Sequence, residues 1–256
     1  MKKKILVAVI LAVAVALLAA IGITVYKHID AKNTAMSIMN VDSINITINS
    51  EFTFEKADKI VSWVSSDESI LSVKDGKLRP YKTGTVTVTG FDKKSKTHTC
   101  EVVIYPLHVK KNSAGCYTVS GSGRDLENIH IPAYIEGIPV TEISAFAFNG
   151  YENIKTLTIE EGINKIGSAA FAFCTSLESI EIPKSVKVLS DNVFLNCTSL
   201  NSIILPASIE SIGEMFVEGC TDIKLINYRG SYNQWSKIKI AKDFPSDLKI
   251  VYNYSY

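Results

Sequence analysis

The chain has 256 residues, enough for two ordinary domains, and its 27 basic and 26 acidic residues leave a net charge of +1. That balance excludes electrostatic capture of nucleic acid, and no nucleic-acid partner is expected. Five cysteines is an odd number, so they cannot all pair within the chain.

The N-terminus reads as a membrane address. MKKK precedes ILVAVILAVAVALLAAIGITVY, residues 5–26, which carries no charge. At about 1.5 Å rise per residue this run spans roughly 33 Å, the thickness of a bilayer. A cleaved signal peptide has a shorter apolar core of about 7–15 residues. The length therefore favours an uncleaved anchor, with cleavage and secretion as the alternative. The lysine cluster places the N-terminus inside the cell and the rest of the chain outside. We take 1–33 as the anchor or signal segment.

Residues 39–106 alternate as short strands do. INITI (44–48) is the first. KIVSWVSS and DESILSV follow, and KDGK centres a hairpin on Asp75–Gly76. Gly84 turns the chain into a strand with Val86 and Val88 on one face and Thr85, Thr87 and Thr89 on the other. HTCEVVIYP then puts Cys100, Val102 and Ile104 on one side. A β-sandwich is expected, with Trp63 in its core and Cys100 a buried thiol. The run VSWVSSDESILSVKDGKLRPYKTGTVTVTG resembles the bacterial Ig-like domain, group 2, through Trp63, Ser65, Ser66, Val73, Gly76, Gly84, Thr85 and Val88. That resemblance implies a surface-protein spacer, sometimes an adhesion module. Residues 107–115 read as a linker.

From residue 116 onward the sequence repeats itself. AFAFCTSLESIEIP (170–183) is followed 23 residues later by VFLNCTSLNSIILP. Seven apolar columns recur at that period. They run from Ile143, Ile166, Leu189 and Ile212 to Ile163, Val186, Ile209 and Tyr232. Between them lie the columns of Phe148, Phe171, Phe194, Val217 and of Tyr151, Cys174, Cys197, Cys220. A period of 23 points to a solenoid, whose coils bury their apolar sides only by stacking. Each LxxIxI core, as in Leu177–Ile182, is expected to be a strand in a parallel sheet, ended by Pro183 or Pro206. LENIHIP (126–132) reads as a first coil followed by a five-residue insertion, giving about five coils. The fold class is mainly β: transmembrane helix, sandwich, solenoid.

IGSAAFAFCTSLESIEIP resembles the BspA-type (Treponema-type) leucine-rich repeat almost throughout. The resemblance covers residues 116–256 and implies a microbial surface protein engaged in adhesion, binding or self-association. Tyr151 departs from the repeat's Cys, and Glu160 and Arg229 depart from its strand-ending Pro.

Nothing in the sequence carries recognisable catalytic chemistry. The four histidines are scattered, and there is no HExxH, G-x-S-x-G or phosphate loop. Cys174, Cys197 and Cys220 lack the spacing and the fourth ligand of a zinc site and read as buried turn residues. Glu160–Glu161 reads as a solvated turn, and Cys116 as the thiol open to modification. No cofactor, metal or catalytic residue is expected. The candidate binding face is the outward side of the repeat sheet: Thr156, Ser179, Ser202 and Leu225 in one column, Thr158, Glu181, Ile204 and Asn227 in the next. Ile204 and Leu225 form a possible apolar contact. Tyr228, Tyr232 and Trp235 are expected to close the core. The expected function is non-enzymatic binding of a protein or glycan at the bacterial cell surface. The alternatives are an envelope scaffold docking on the same cell and, third, a hydrolase or accessory subunit with a deep polar pocket.

Overall fold

The computed structural model describes residues 41–55 and 57–255. The segment read as an anchor, residues 5–26, lies outside them. Among the described residues no helix is long and apolar enough to cross a membrane. Ala35–Tyr256 forms one compact unit, and both hydrophobic cores lie within it.

The first core belongs to a small sandwich. Strands β1 (Ser43–Thr47), β2 (Ile60–Ser65), β5 (Gly84–Asp92) and β6 (Thr97–Tyr105) form one sheet in the order β1-β6-β5-β2. The first and last strands are parallel, Ser43 opposite Glu101 through Thr47 opposite Tyr105. Strands β3 (Leu71–Lys74) and β4 (Lys77–Pro80) form the expected hairpin. Asp75 and Gly76 both have positive φ, 51° and 76°, the geometry whose twist matches a two-residue hairpin. A Cβ at Gly76 would lie 2.5 Å from that of Ala57, so glycine is also required sterically. Val86, Val88, Cys100, Val102 and Ile104 are buried as their alternation predicts. Burial pushes the Cys100 thiol up to about 12. Trp63 is only half-buried; its ring stacks on buried Phe54 at 5.7 Å.

The expected linker is instead structure. Leu107–Lys111 is strand β7, antiparallel to β8 (Tyr117–Ser122), and Leu107 is buried in the repeat core. Asn112 closes the turn between them, its Oδ1 accepting from the N–H groups of Ala114 and Cys116. The polar run KKNSAG looks like a spacer, but it is a hairpin tip. Only Pro106 separates β6 from β7.

Six strands build the outer face of the solenoid: β9 (Asn128–Ile131), β12 (Thr156–Ile159), β14 (Ser179–Glu181), β16 (Ser202–Leu205), β18 (Leu225–Tyr228) and β20 (Lys249–Val251). They pair in parallel as β9–β12 and as β14–β16–β18–β20. From β14 to β18 the partners are one repeat apart: Ile180 with Ile203, Ile203 with Ile226. This makes six coils rather than five, because the C-terminal segment supplies β20. A second parallel ladder, not foreseen, runs along the opposite wall through β8, β11 (Ile138–Ile143), β13 (Lys165–Ile166), β15 (Val188–Leu189), β17 (Ser211–Ile212) and β19 (Lys239–Ile240). It is built on the column of Ile143, Ile166, Leu189 and Ile212.

Between the walls the columns are buried as expected, with two corrections. Phe148, Phe171 and Phe194 stack face to face at 5.4 and 5.8 Å, but Phe216, not Val217, continues the ring stack, edge-on at 5.6 Å. Val217 is buried beside it. Tyr232 leaves its column altogether: it opens the short helix α1 (Tyr232–Trp235) and is 64% exposed. The 23-residue period ends where the cap begins.

A third wall consists of turns. Phe146, Ala169, Asn192 and Met215, one per coil, all have φ between 49° and 60°. Four residues on, Gly150, Phe173, Asn196 and Gly219 are again left-handed. Alternate N–H groups reach the next coil, as from Phe146 to Ser168 and from Phe148 to Ala170. The geometry is demanded by the stack, not by the residue type.

The insertion after the first coil has a purpose of its own. Ile129 pairs with Leu157, 28 residues away, one repeat plus five. The extra residues form a hairpin of β10 (Tyr134–Ile135) and β11, with Glu136 and Gly137 at positive φ. This hairpin hooks onto the sandwich. Glu136 N–H donates to Asn45 O at 2.6 Å, and Asn45 Nδ2 donates to Tyr134 O at 3.1 Å. Asn45 is buried, so both bonds are shielded from water.

Candidate functional site

Alternation along β12, β14, β16 and β18 turns one residue in two outward. The structure brings the eight expected face residues onto that side. Thr156, Thr158, Ser179 and Glu181 are exposed; Ser202, Ile204, Leu225 and Asn227 are half-buried. Glu181, Ile204 and Asn227 form one continuous row, and Val251 of β20 extends it. Ser179 and Ser202 begin the adjacent row, which Leu225 and Lys249 continue. Thr156 and Thr158 lie on the separate β9–β12 ladder, opposite Asn128 and His130. Because Ile204 and Leu225 are half-covered, the apolar contact is smaller than the sequence suggested.

Two residues that replace the strand-ending proline reach back over this face. Arg229 Nη2 lies 2.7 Å from Glu181 Oε1, two coils away. Glu160 Oε1 lies 2.8 Å from His130 Nε2, and its other oxygen accepts from Ala133 N–H. Glu160 is thus no solvated turn residue. Burial alone would raise its pKa, but the bonds from His130 and Ala133 outweigh burial and lower it. Tyr105 of the sandwich packs its ring 5.5 Å from that of His130. Glu161 is structural as well, its carboxylate accepting from the N–H groups of Lys184 and Ser185 in the next coil. Sequence reasoning passed over Arg229 and His130 as site residues. The available signal was the departure of Arg229, and of the His130 partner Glu160, from the strand-ending Pro.

The cysteine column is occupied with packing. Cys174, Cys197 and Cys220 donate S–H to the carbonyls of Phe148, Phe171 and Phe194 at 3.3, 3.1 and 3.0 Å. Burial pushes Cys174 up to about 12. Cys116 is half-exposed. Among the described residues no group of His, Cys, Asp and Glu is arranged to hold a metal ion.

At the C-terminal cap, Ser231 and Gln234 form a capping box at the start of α1. Trp235 packs edge-on against buried Tyr228 at 5.1 Å and against Phe244 at 5.9 Å. These rings close the core, while Tyr232 rests outside against Tyr252. A groove of about 230 Å³ opens beside the cap, lined by Val217, Cys220, Ile223, Lys224, Asp247 and Leu248 among others.

Residues 117–240 match the BspA type leucine rich repeat region in six copies. A leucine rich cell surface protein from Faecalibacterium prausnitzii is 24% identical over 54% of this chain and 44% of its own, with a TM-score of 0.40. A leucine-rich repeat protein from Bacteroides ovatus is 29% identical over 59% of this chain and 37% of its own, with a TM-score of 0.45. The T. pallidum leucine rich repeat protein is 19% identical over 57% of this chain and 83% of its own, with a TM-score of 0.41. This chain therefore spans less than half the length of the first two. No curated protein matches it. Residues 117–240 of this chain are thus similar to a leucine-rich repeat region of the BspA type.

Proposed function

We propose that this chain is a non-enzymatic binding protein of the bacterial cell surface. The repeat face meets a protein or glycan partner, the sandwich is an Ig-like spacer, and residues 5–26 hold the chain in the membrane with the bulk of it outside. The observation that carries this reading is the face itself. It is a six-strand wall of mostly polar side chains, crossed by the Glu181–Arg229 pair and holding the half-covered aliphatics Ile204, Leu225 and Val251. A shallow, rigid, mixed surface suits contact with a large partner. With only six coils the contact is short, and many copies on one cell would strengthen it by avidity.

The test is binding of residues 35–256 to two surfaces side by side: host epithelial cells with their matrix, and the producer's own isolated envelope. Saturable host binding, reduced at least tenfold in Glu181→Arg and Ile204→Arg, is the expected result. Binding to the envelope alone would replace adhesion with envelope scaffolding. Binding that survives both substitutions would remove the repeat face from the reading.

A further inference from the structure

The turn wall carries side chains that its backbone does not ask for. Left-handed positions favour glycine and asparagine, and bulky residues there are rare. Gly150, Asn192, Asn196 and Gly219 follow that rule. Phe146, Phe173 and Met215 break it, at φ 59°, 60° and 49°. The core does not use these side chains, which are 65%, 41% and 47% exposed. With Tyr232 of the cap, they make up the exposed large apolar residues of the described repeat region. Phe146, Phe173, half-buried Leu195 and Met215 come from four successive coils. At about 4.8 Å per coil they form a strip roughly 14 Å long. Backbone strain that coincides with exposed apolar surface marks a contact site.

The charge on this wall has one sign. The same four turns, residues 144–152, 167–175, 190–198 and 213–221, hold Glu152, Asp191, Glu214 and Glu218 and no lysine, arginine or histidine. All four acids are exposed, and among the described residues none is in an ion pair. Basic residues border the wall and are engaged or countered there. Arg124 lies over the Tyr151 ring at 5.3 Å, and Lys224 donates to Thr221 O at 2.9 Å. Lys242 of the cap stands beside Asp243, whose carboxylate accepts from Met215 N–H. The whole chain is nearly balanced, 27 basic residues to 26 acidic, so the acidic wall is a local feature. A second copy of this wall, or an anionic lipid surface, would set acid against acid. A segment with lysine or arginine beside apolar side chains complements both the strip and its charge.

We infer that the turn wall is a docking site for a cationic amphipathic peptide segment. The apolar side chains of that segment lie on Phe146, Phe173, Leu195 and Met215, and its lysines or arginines face Glu152, Glu214 and Glu218. This wall is separate from the polar sheet face, and neither reading depends on the other.

The experiment is calorimetric titration of residues 35–256, the compact unit that contains both cores, with a synthetic Leu/Lys peptide of about 14 residues in helical period. Saturable one-to-one binding is expected, with a Kd of about 10–100 µM that rises about tenfold in 0.5 M salt. A Leu/Glu peptide of the same pattern should not bind, and oligolysine should bind at least tenfold more weakly. Phe146→Asn, Phe173→Asn and Met215→Asn together introduce the residue that Asn192 and Asn196 already place on this wall. That variant should keep its thermal midpoint and lose at least tenfold in affinity. Glu152→Lys with Glu218→Lys should lose about tenfold with the strip intact. Glu51→Lys with Glu68→Lys, the same change in charge at exposed sites of the sandwich, should change nothing. The proposal is overturned by no saturation at about 1 mM peptide. Equal binding of the Leu/Glu peptide or of oligolysine overturns it too, as does affinity that survives either set of wall substitutions. A parent dimer dispersed by the triple asparagine variant would assign the strip to a second copy instead.

Discussion

The phenylalanine stack allows one prediction to be worked through. Phe171 is fully buried and lies face to face between Phe148 and Phe194. Phe171→Ala removes a ring from a core that cannot close around it, because the coils above and below are fixed by two ladders. A buried Phe→Ala costs about 3–5 kcal/mol, and each lost ring contact adds roughly 0.5–1.5 kcal/mol beyond area. We expect a loss of about 5 kcal/mol. Stability in a solenoid is a sum of coils and their interfaces, and this change weakens two interfaces at once. The chain supplies its own probes: Trp63 sits in the sandwich and Trp235 in the repeat cap. Urea unfolding of residues 35–256, followed through single-Trp variants, should show the Trp235 transition moving far more than the Trp63 transition. Phe173→Ala is the internal control. It lies two residues away, is 41% exposed, and should cost less than about 1 kcal/mol. A loss below about 2 kcal/mol at Phe171, or equal losses at the two positions, would refute the stacking account.

Other consequences are open to direct measurement. Phe146 is 65% exposed at φ 59°, so Phe146→Gly should be neutral or raise stability by about 0.5–1 kcal/mol; a loss above about 1 kcal/mol would show a packing role. Asn45→Ala removes one bond of the hook. It should cost about 1–3 kcal/mol, with hydrogen exchange accelerating at residues 133–138 before the rest of the repeats. The lowered pKa of Glu160 means that the folded state releases its proton more readily than the unfolded chain. That contribution is present above the unfolded pKa and is lost as pH falls through the folded one. Glu160→Gln should therefore flatten the acid limb of the stability curve, read as thermal midpoint against pH below about 4.5. For Cys100 and Cys174 the sign reverses. Their thiols are held protonated when folded, so their contribution is present at neutral pH and is lost as pH rises above the unfolded value near 9. At pH 8 a thiol reagent should label Cys116 rapidly and the four buried cysteines only at the rate of unfolding.

The sequence was most legible where one residue type recurs at one depth. Ile180, Ile203 and Ile226 occupy equivalent places because the parallel sheet repeats the same environment every coil. The second wall was hidden because four of its strands, β13, β15, β17 and β19, are only two residues long, as in Val188–Leu189, too short for an alternation to register. The turn wall was hidden for a different reason. Phe146, Ala169, Asn192 and Met215 share a backbone conformation but no side-chain chemistry, so no column of letters reveals them. Tyr232 was misplaced by carrying the period one step past the stack. Leu107–Lys111 was misread because the polar hairpin tip beside it has the composition of a linker. On the candidate face, the outward residues followed from alternation, whereas the Glu181–Arg229 pair joins residues 48 apart and depends on the coil geometry.

The parallel pairing of the first and last sandwich strands has a mechanical meaning. A pull on the chain enters the sandwich at Ser43, the start of β1, and leaves at Tyr105, the end of β6. Because these strands run the same way side by side, tension slides one along the other. The whole five-residue register resists in shear at once, instead of opening one bond after another. Past Pro106 the hook and the β7–β8 hairpin carry the force into the stacked coils with no slack segment between. The coils are thereby joined to the sandwich without slack, and the sandwich yields only when all of those bonds fail together.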